Sequence, residues 1–254
     1  MPYKTGFFIK MTNLKSSAEL KAIAREKSLE RYGTLISADL IVLIIQFVLS
    51  GITTISSSGN IFLYIINEII VLIVSILLGV LVSGKTFLYM NLIYSQNVSI
   101  SDLFYGVKVF PEKAVKVQAL FVLVDFVAGL PATYLLYLTQ HNPTPDLYLG
   151  TILALLFELV INIYVHLTYS QAFYLLHDFQ DRNAKELLST SRHIMKGNRF
   201  KLFYLNVSFI PIMLLGMIAL FLPLLWINVY RNATLAAFYQ DLIMQYASKN
   251  TVEQ

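Results

Sequence analysis

Long apolar runs alternate with short polar runs along this chain, and three of the polar runs are built alike. The first, residues 16–33, reads SSAELKAIAREKSLERYG. Ser16 and Glu19 have the spacing of a capping box, and Leu20, Ile23, Ala24 and Leu29 line one face. Lys21, Arg25, Lys27 and Arg31 make the other face basic, so the pattern predicts a basic amphipathic helix lying in the headgroup layer and stopping at Gly33. The second, residues 99–116, predicts a short helix capped by Ser101 or Asp102 and ended by Pro111. The third, residues 177–201, repeats the cap with Asn183 and Glu186 and the stop with Gly197.

Between these runs the chain is apolar over lengths that match the ~20 residues a helix needs to cross a bilayer. Spans are expected at 34–55, 61–83, 117–138 and 147–170, the second continuing toward Tyr94 and the fourth toward Leu176. Gly129, Pro131 and Thr133 predict a local bend in the third. Turns fall at 56–60 and at 139–146, the sequence TQHNPTPD. Residues 202–230 then run without a charge. At 1.5 Å per residue that is over ~40 Å, against a hydrocarbon layer of ~30 Å. A turn near residues 220–223 resolves the excess into a fifth span, 202–219, and a sixth, 222–239; one tilted helix, giving five spans, is the alternative.

Glu19-Leu20, Asp102-Leu103 and Glu186-Leu187 open the three amphipathic helices at separations of 83 and 84 residues. The fold expected is therefore all-α: one polytopic membrane helix bundle over 1–254. It is built of three amphipathic-helix-plus-hairpin repeats at about 16–98, 99–182 and 183–242, with a cytoplasmic tail at 243–254. Residues 1–14 read as a loosely ordered segment on the membrane surface, and residues 1–31 offer no apolar core for a cleavable leader.

Composition agrees: 57% of residues are hydrophobic and 13% charged, against roughly 45–50% and 25% in soluble domains. The absence of cysteine excludes disulfides, thiol chemistry and Cys-ligated metals. Of the 19 Lys and Arg, seven precede the first span, four lie between Lys85 and Lys116, and six between Arg182 and Lys201. The two short turns hold none, so the N-terminus and both long connections are expected in the cytoplasm. Basic helices there could hold anionic lipid headgroups, though topology anchoring is the plainer role. Lipid-facing spans so close to the first basic helix weigh against nucleic acid.

The last third of the chain resembles a bacterial integral membrane family, the domain of unknown function 975. The resemblance rests on SRHIMKGNRFKLF (191–203), Leu205, SFI (208–210), LLG (214–216), LLW (224–226) and ATLAAFYQDL (233–242). SSAELKAIARE (16–26) and DLFYGVKVF (102–110) extend it over nearly the whole chain. Pro211 stands where the family carries Gly-Trp, and Asn228-Val229-Tyr230 where it favours Pro-Tyr. The resemblance implies a multi-span protein of the bacterial cell membrane and brings no activity and no catalytic residues.

Charges inside spans cost ~2.5–3.5 kcal/mol each on insertion scales, so each asks for a reason. Glu68, Asp125, Glu158 and Arg231 are the candidates, whereas Asp39 falls near the start of its span, within reach of the interface. Glu158, Asn162 and His166 share a helix face, as do Gln118 and Asp125, and as do Asn228, Arg231 and Asn232. One expectation is structural: Arg231 pairs with one or two carboxylates, and Asn and His complete a buried polar core. Another is a proton- or cation-coupled carrier or channel, since three acids and a His outnumber one Arg. An enzyme is not expected. The four histidines are scattered, HExxH, P-loop, GxGxxG and GxSxG patterns are absent, and no cofactor or metal is implied. An accessory role, in partner binding or lipid sensing, completes the set, with protein partners open. The sequons at Asn97, Asn206 and Asn232 carry no meaning at these positions.

Overall fold

A computed structural model of the chain describes residues 14–53 and 61–252. All of the expected surface segment at 1–14 except Leu14, which is buried, and the turn at 56–60 lie outside the described residues. Everything described is helix or connection. The helices are α1 (Ser17–Ser28), α2 (Tyr32–Thr53), α3 (Ile61–Leu77), α4 (Gly79–Ile93), α5 (Tyr105–Lys108) and α6 (Pro111–His141). They continue with α7 (Pro145–Tyr169), α8 (Ala172–Asp178), α9 (Ala184–Ile194), α10 (Arg199–Val207), α11 (Ile210–Ile218) and α12 (Pro223–Val252). A 3-10 segment, Ile100–Phe104, precedes α5.

Local sequence sets most boundaries. Capping boxes form at Ser16 with Glu19, Ser99 with Asp102 and Asn183 with Glu186. The second cap is thus Ser99, and neither Ser101 nor Asp102: only from Ser99 does the acid at the third position reach back to the cap amide. In each copy the Leu after that acid is at most 2% exposed, so cap and core contact are set together. Gly197, with φ +85°, lies in the turn after α9, as expected. Gly33 is not a stop, because α1 ends at Ser28 and Gly33 sits in the first turn of α2. Pro111 starts α6 where an end of the preceding helix was expected; a proline at the first helical position has no amide to orphan. Pro131 interrupts nothing, α6 running through it as one helix.

Among the described residues five helical stretches are long and apolar enough to cross a membrane: 32–51, 65–93, 111–141, 145–178 and 199–218. The fourth breaks at Ser170–Gln171, between α7 and α8, and the fifth at Ser208–Phe209, between α10 and α11. The expected turn near 220–223 is present, with Leu220 and Phe221 both at positive φ, and α12 packs back on α11. α12 is not among the apolar stretches, because it carries Asn228, Arg231, Asn232, Thr234 and Asp241. It is also longer than the expected 222–239: residues 243–252 continue the helix instead of trailing as a tail.

The hairpins put the starts of α2, α6 and α10 and the ends of α4, α8 and α12 at one end of the bundle, together with α1, α5 and α9. The core sits there. Leu88, Tyr89, Leu175, Leu176, Ala233, Ala236 and Tyr239 are almost completely buried, while the far ends of α3, α7 and α11 expose apolar side chains as a lipid solvent requires. The apolar stripe of α1 meets protein as well as lipid. Leu20 and Ala24 disappear into the core where α1 packs on α12 and α4, and the Lys15 amide donates to Asp241 Oδ2 at 2.8 Å.

Candidate functional site

Asp39 was read as an interfacial acid; the fold buries it to 6% exposure. It lies one turn beyond Leu35 on the face of α2 that α4 and α12 cover, and the small Ala38 beside it is fully packed. Lys85 of α4 places Nζ 3.0 Å from Asp39 Oδ1. The Tyr89 hydroxyl, one turn further along α4, donates to Oδ2 at 2.9 Å. From α12, Asn228 Nδ2 donates to Oδ2 at 2.8 Å, and Asn232 Nδ2 reaches it at 3.5 Å and Asn228 Oδ1 at 3.3 Å. One carboxylate thereby ties three helices together, and its charge is met by an ammonium and by neutral donors. Of the expected site residues only Asn228 belongs to this node. Asp39, Lys85 and Tyr89 were missed, although an acid in the first span and a lone lysine in the second carry a signal as a possible pair.

Arg231 has no carboxylate partner among the described residues. Its Nη2 and Nε donate to Asn206 Oδ1 of α10, at 2.9 and 3.3 Å. The reason is angular. Arg231 is three positions from Asn228, about 60° around the helix, so Asn228 and Asn232 face α2 while Arg231 faces α10. Asn206, set aside in the sequence as an idle sequon, is its acceptor.

Four expected residues do meet, in the seam between α6 and α7. His166 stacks on Phe121 with ring centroids 4.9 Å apart. One turn on, Asn162 Nδ2 donates to Asp125 Oδ1 at 2.7 Å. A turn further, Glu158 lies over Gly129, where an added Cβ would stand 3.3 Å from Oε1. Positions 121, 125 and 129 thus oppose 166, 162 and 158 in an antiparallel ladder across the middle of the hairpin. Asp125 and His166 are exposed, so this ladder is open along one side and is not a buried core. Thr139 and Thr151 close the seam at its tip, their hydroxyls 3.2 Å apart. Glu68 stands apart from both groups. It is half-buried on the stripe of α3 that holds Leu72 and Ser75, and Gly79, at the start of α4, packs on Ala114 and Gln118 of α6. The seven expected residues therefore do not form one cluster.

At the basic end, His177 is buried with Nε2 2.9 Å from the Ser83 carbonyl, and Asp178 accepts from the Tyr239 hydroxyl. Lys21 Nζ donates to the Ser208 carbonyl at 3.2 Å and sits 4.3 Å over the Phe209 ring; partial burial pulls its ammonium pKa below the ordinary lysine value. Among the described residues no three His, Asp or Glu converge as metal ligands.

The family model described as protein of unknown function, DUF975, matches residues 11–245, and the chain belongs to that family. No curated protein and no solved structure matches the chain.

Proposed function

We propose that this member of the DUF975 family is a structural or accessory component of a bacterial cell membrane, with its N-terminus and basic helices in the cytoplasm and no catalytic step of its own. The observation that carries this reading is the Asp39 node. Among the described residues Asp39 is the most deeply buried charge in the apolar stretches, and it is spent on Lys85, Tyr89, Asn228 and Asn232, within the protein. The basic residues around α1, α5 and α9 fit contact with anionic lipid headgroups. No nucleic acid is among its partners on this reading. The test is loss of function in the membrane: replacing Asp39 with Asn lowers the amount of folded protein, and no transport or hydrolytic activity appears in purified wild-type protein.

The ladder favours a second reading, a proton- or cation-coupled carrier or channel. Asp125, Glu158 and His166 are titratable groups at mid-span, open along one side, and among the described residues only Asp125 has a hydrogen-bonding side-chain partner, Asn162. Liposomes holding the protein would then pass protons or cations, and Glu158→Gln would abolish the flux. Flux equal to that of empty liposomes removes this reading and leaves the first.

A further inference from the structure

The three hairpins do not rise equally far from the shared core. Counting along each descending limb to the tyrosine it sets in or against the core, 28 residues separate Ile61 from Tyr89 and 29 separate Pro145 from Tyr174, but only 16 separate Pro223 from Tyr239. Tyr89 and Tyr239 belong to one core and Tyr174 packs against it, stacking on Tyr239 with centroids 4.8 Å apart. A limb twelve residues shorter reaches about 18 Å less far at 1.5 Å per residue.

The ascending limb gives the same answer independently. Lys21, on the basic helix α1, holds the Ser208 carbonyl at the break between α10 and α11. Twelve residues separate Ser208 from Leu220, about 18 Å of helix above the level a lysine ammonium can reach from α1, against a hydrocarbon layer of ~30 Å. In the second hairpin, Lys113 holds the Gln180 carbonyl at the same basic end, and 28 residues, about 42 Å, carry α6 from Lys113 to His141.

The turn itself is chemically unlike the other. The Asn142 turn reads HNPTPD; the third reads ALFLP, inside an unbroken apolar run from Phe209 to Ile227. Ile218 is 80% exposed, Leu220 81% and Phe221 64%. Irregular backbone survives in hydrocarbon only if its polar groups are satisfied. Here the amides of Ala219 and Phe221 find backbone acceptors in α11, those of Leu222, Leu224 and Leu225 find them within the turn, and Pro223 has no amide to place. Leu220 and Phe221 hold positive φ, where Gly or Asn would be cheaper in water.

We infer that the α11–α12 hairpin is re-entrant: its tip ends inside the bilayer, and the surface formed by Ile218, Leu220, Phe221 and Leu222 is a docking face for lipid acyl chains. The hairpin enters and leaves on the basic side, and acyl chains fill the space beyond its tip. Four crossings then remain, and both chain ends stay on the side that six crossings would give. This inference is independent of the functional reading above, since it concerns only depth and lipid contact.

The chain is free of cysteine, so single spin labels can be placed at Leu220→Cys and Asn142→Cys in the full protein in lipid nanodiscs. The label at 220 is expected to relax with dissolved oxygen and to be shielded from a water-soluble nickel chelate; the label at 142 is expected to meet the chelate. Equal chelate access at both positions would overturn the inference. Shielding of position 220 from oxygen as well would place protein over the tip and overturn the lipid assignment. Leu220→Lys gives a second readout: it should sharply lower the amount of folded protein, and wild-type amounts would contradict a tip in hydrocarbon.

Discussion

Removing Lys85 tests how much of the fold hangs on the Asp39 node. In Lys85→Met the long side chain keeps its packing but the ammonium 3.0 Å from Asp39 Oδ1 is gone, while the carboxylate stays 3% exposed. Stripping one partner from a buried ion pair costs about 3–5 kcal/mol. Two features reduce that here. Lys85 is 24% exposed, so water already screens the pair, and Tyr89, Asn228 and Asn232 still donate to Oδ2. We expect about 2–3 kcal/mol, a fall in Tm of about 5–10 °C for a chain this long. Asp39→Asn should cost less, about 1–2 kcal/mol, because the freed ammonium can swing toward water whereas the stranded carboxylate cannot. The double variant should be more stable than the two losses added together, by about 1 kcal/mol or more. The assay is thermal unfolding in detergent followed through the single tryptophan, Trp226. Single variants within about 1 °C of wild type, or strictly additive losses, would refute the node as a stabilising pair.

Ser16→Ala should cost about 1 kcal/mol of stability through lost capping of α1, read as a lower Tm. Glu19, its reciprocal partner, is held below the usual carboxylate pKa by the Ser16 hydroxyl and amide. A depressed folded pKa means its contribution is complete above about pH 4.5 and fades as the pH falls through the folded value; Glu19→Gln should flatten that acid limb of the Tm profile. Gly84→Ala should prevent normal folding, since its Cβ would stand 1.7 Å from the Leu103 carbonyl, while Gly33→Ala meets nothing within 4 Å and should raise stability by up to about 1 kcal/mol; recovery of monodisperse protein separates the two. Asn206→Leu should cost about 1–3 kcal/mol by leaving the Arg231 guanidinium without its acceptor, and Arg231→Met in the same chain should recover part of that loss in Tm.

Periodicity, caps and charge blocks are local properties, so the sequence by itself determined the class of fold. It gave the first four apolar stretches, the three acid–Leu helix starts, the Gly197 stop and the turn after Ala219. It also identified the face shared by Glu158, Asn162 and His166, because the 3.6-residue repeat of one helix is enough to define a face. Which helix that face meets is not local. Spacing along α12 could not say that Asn228 and Arg231 part company, one toward Asp39 and the other toward Asn206, because both partners come from helices about 190 and 25 residues away. Position within a span made Asp39 look shallow; burial by α4 and α12 made it the most engaged charge in the membrane. The apolar stripe of α1 looked like a lipid-facing surface until the extended end of α12 supplied a protein one. Hydrophobic patterning reports that a side chain avoids water. Only the packing of the helices decides whether lipid or protein takes the place of water, and which buried charge finds which partner.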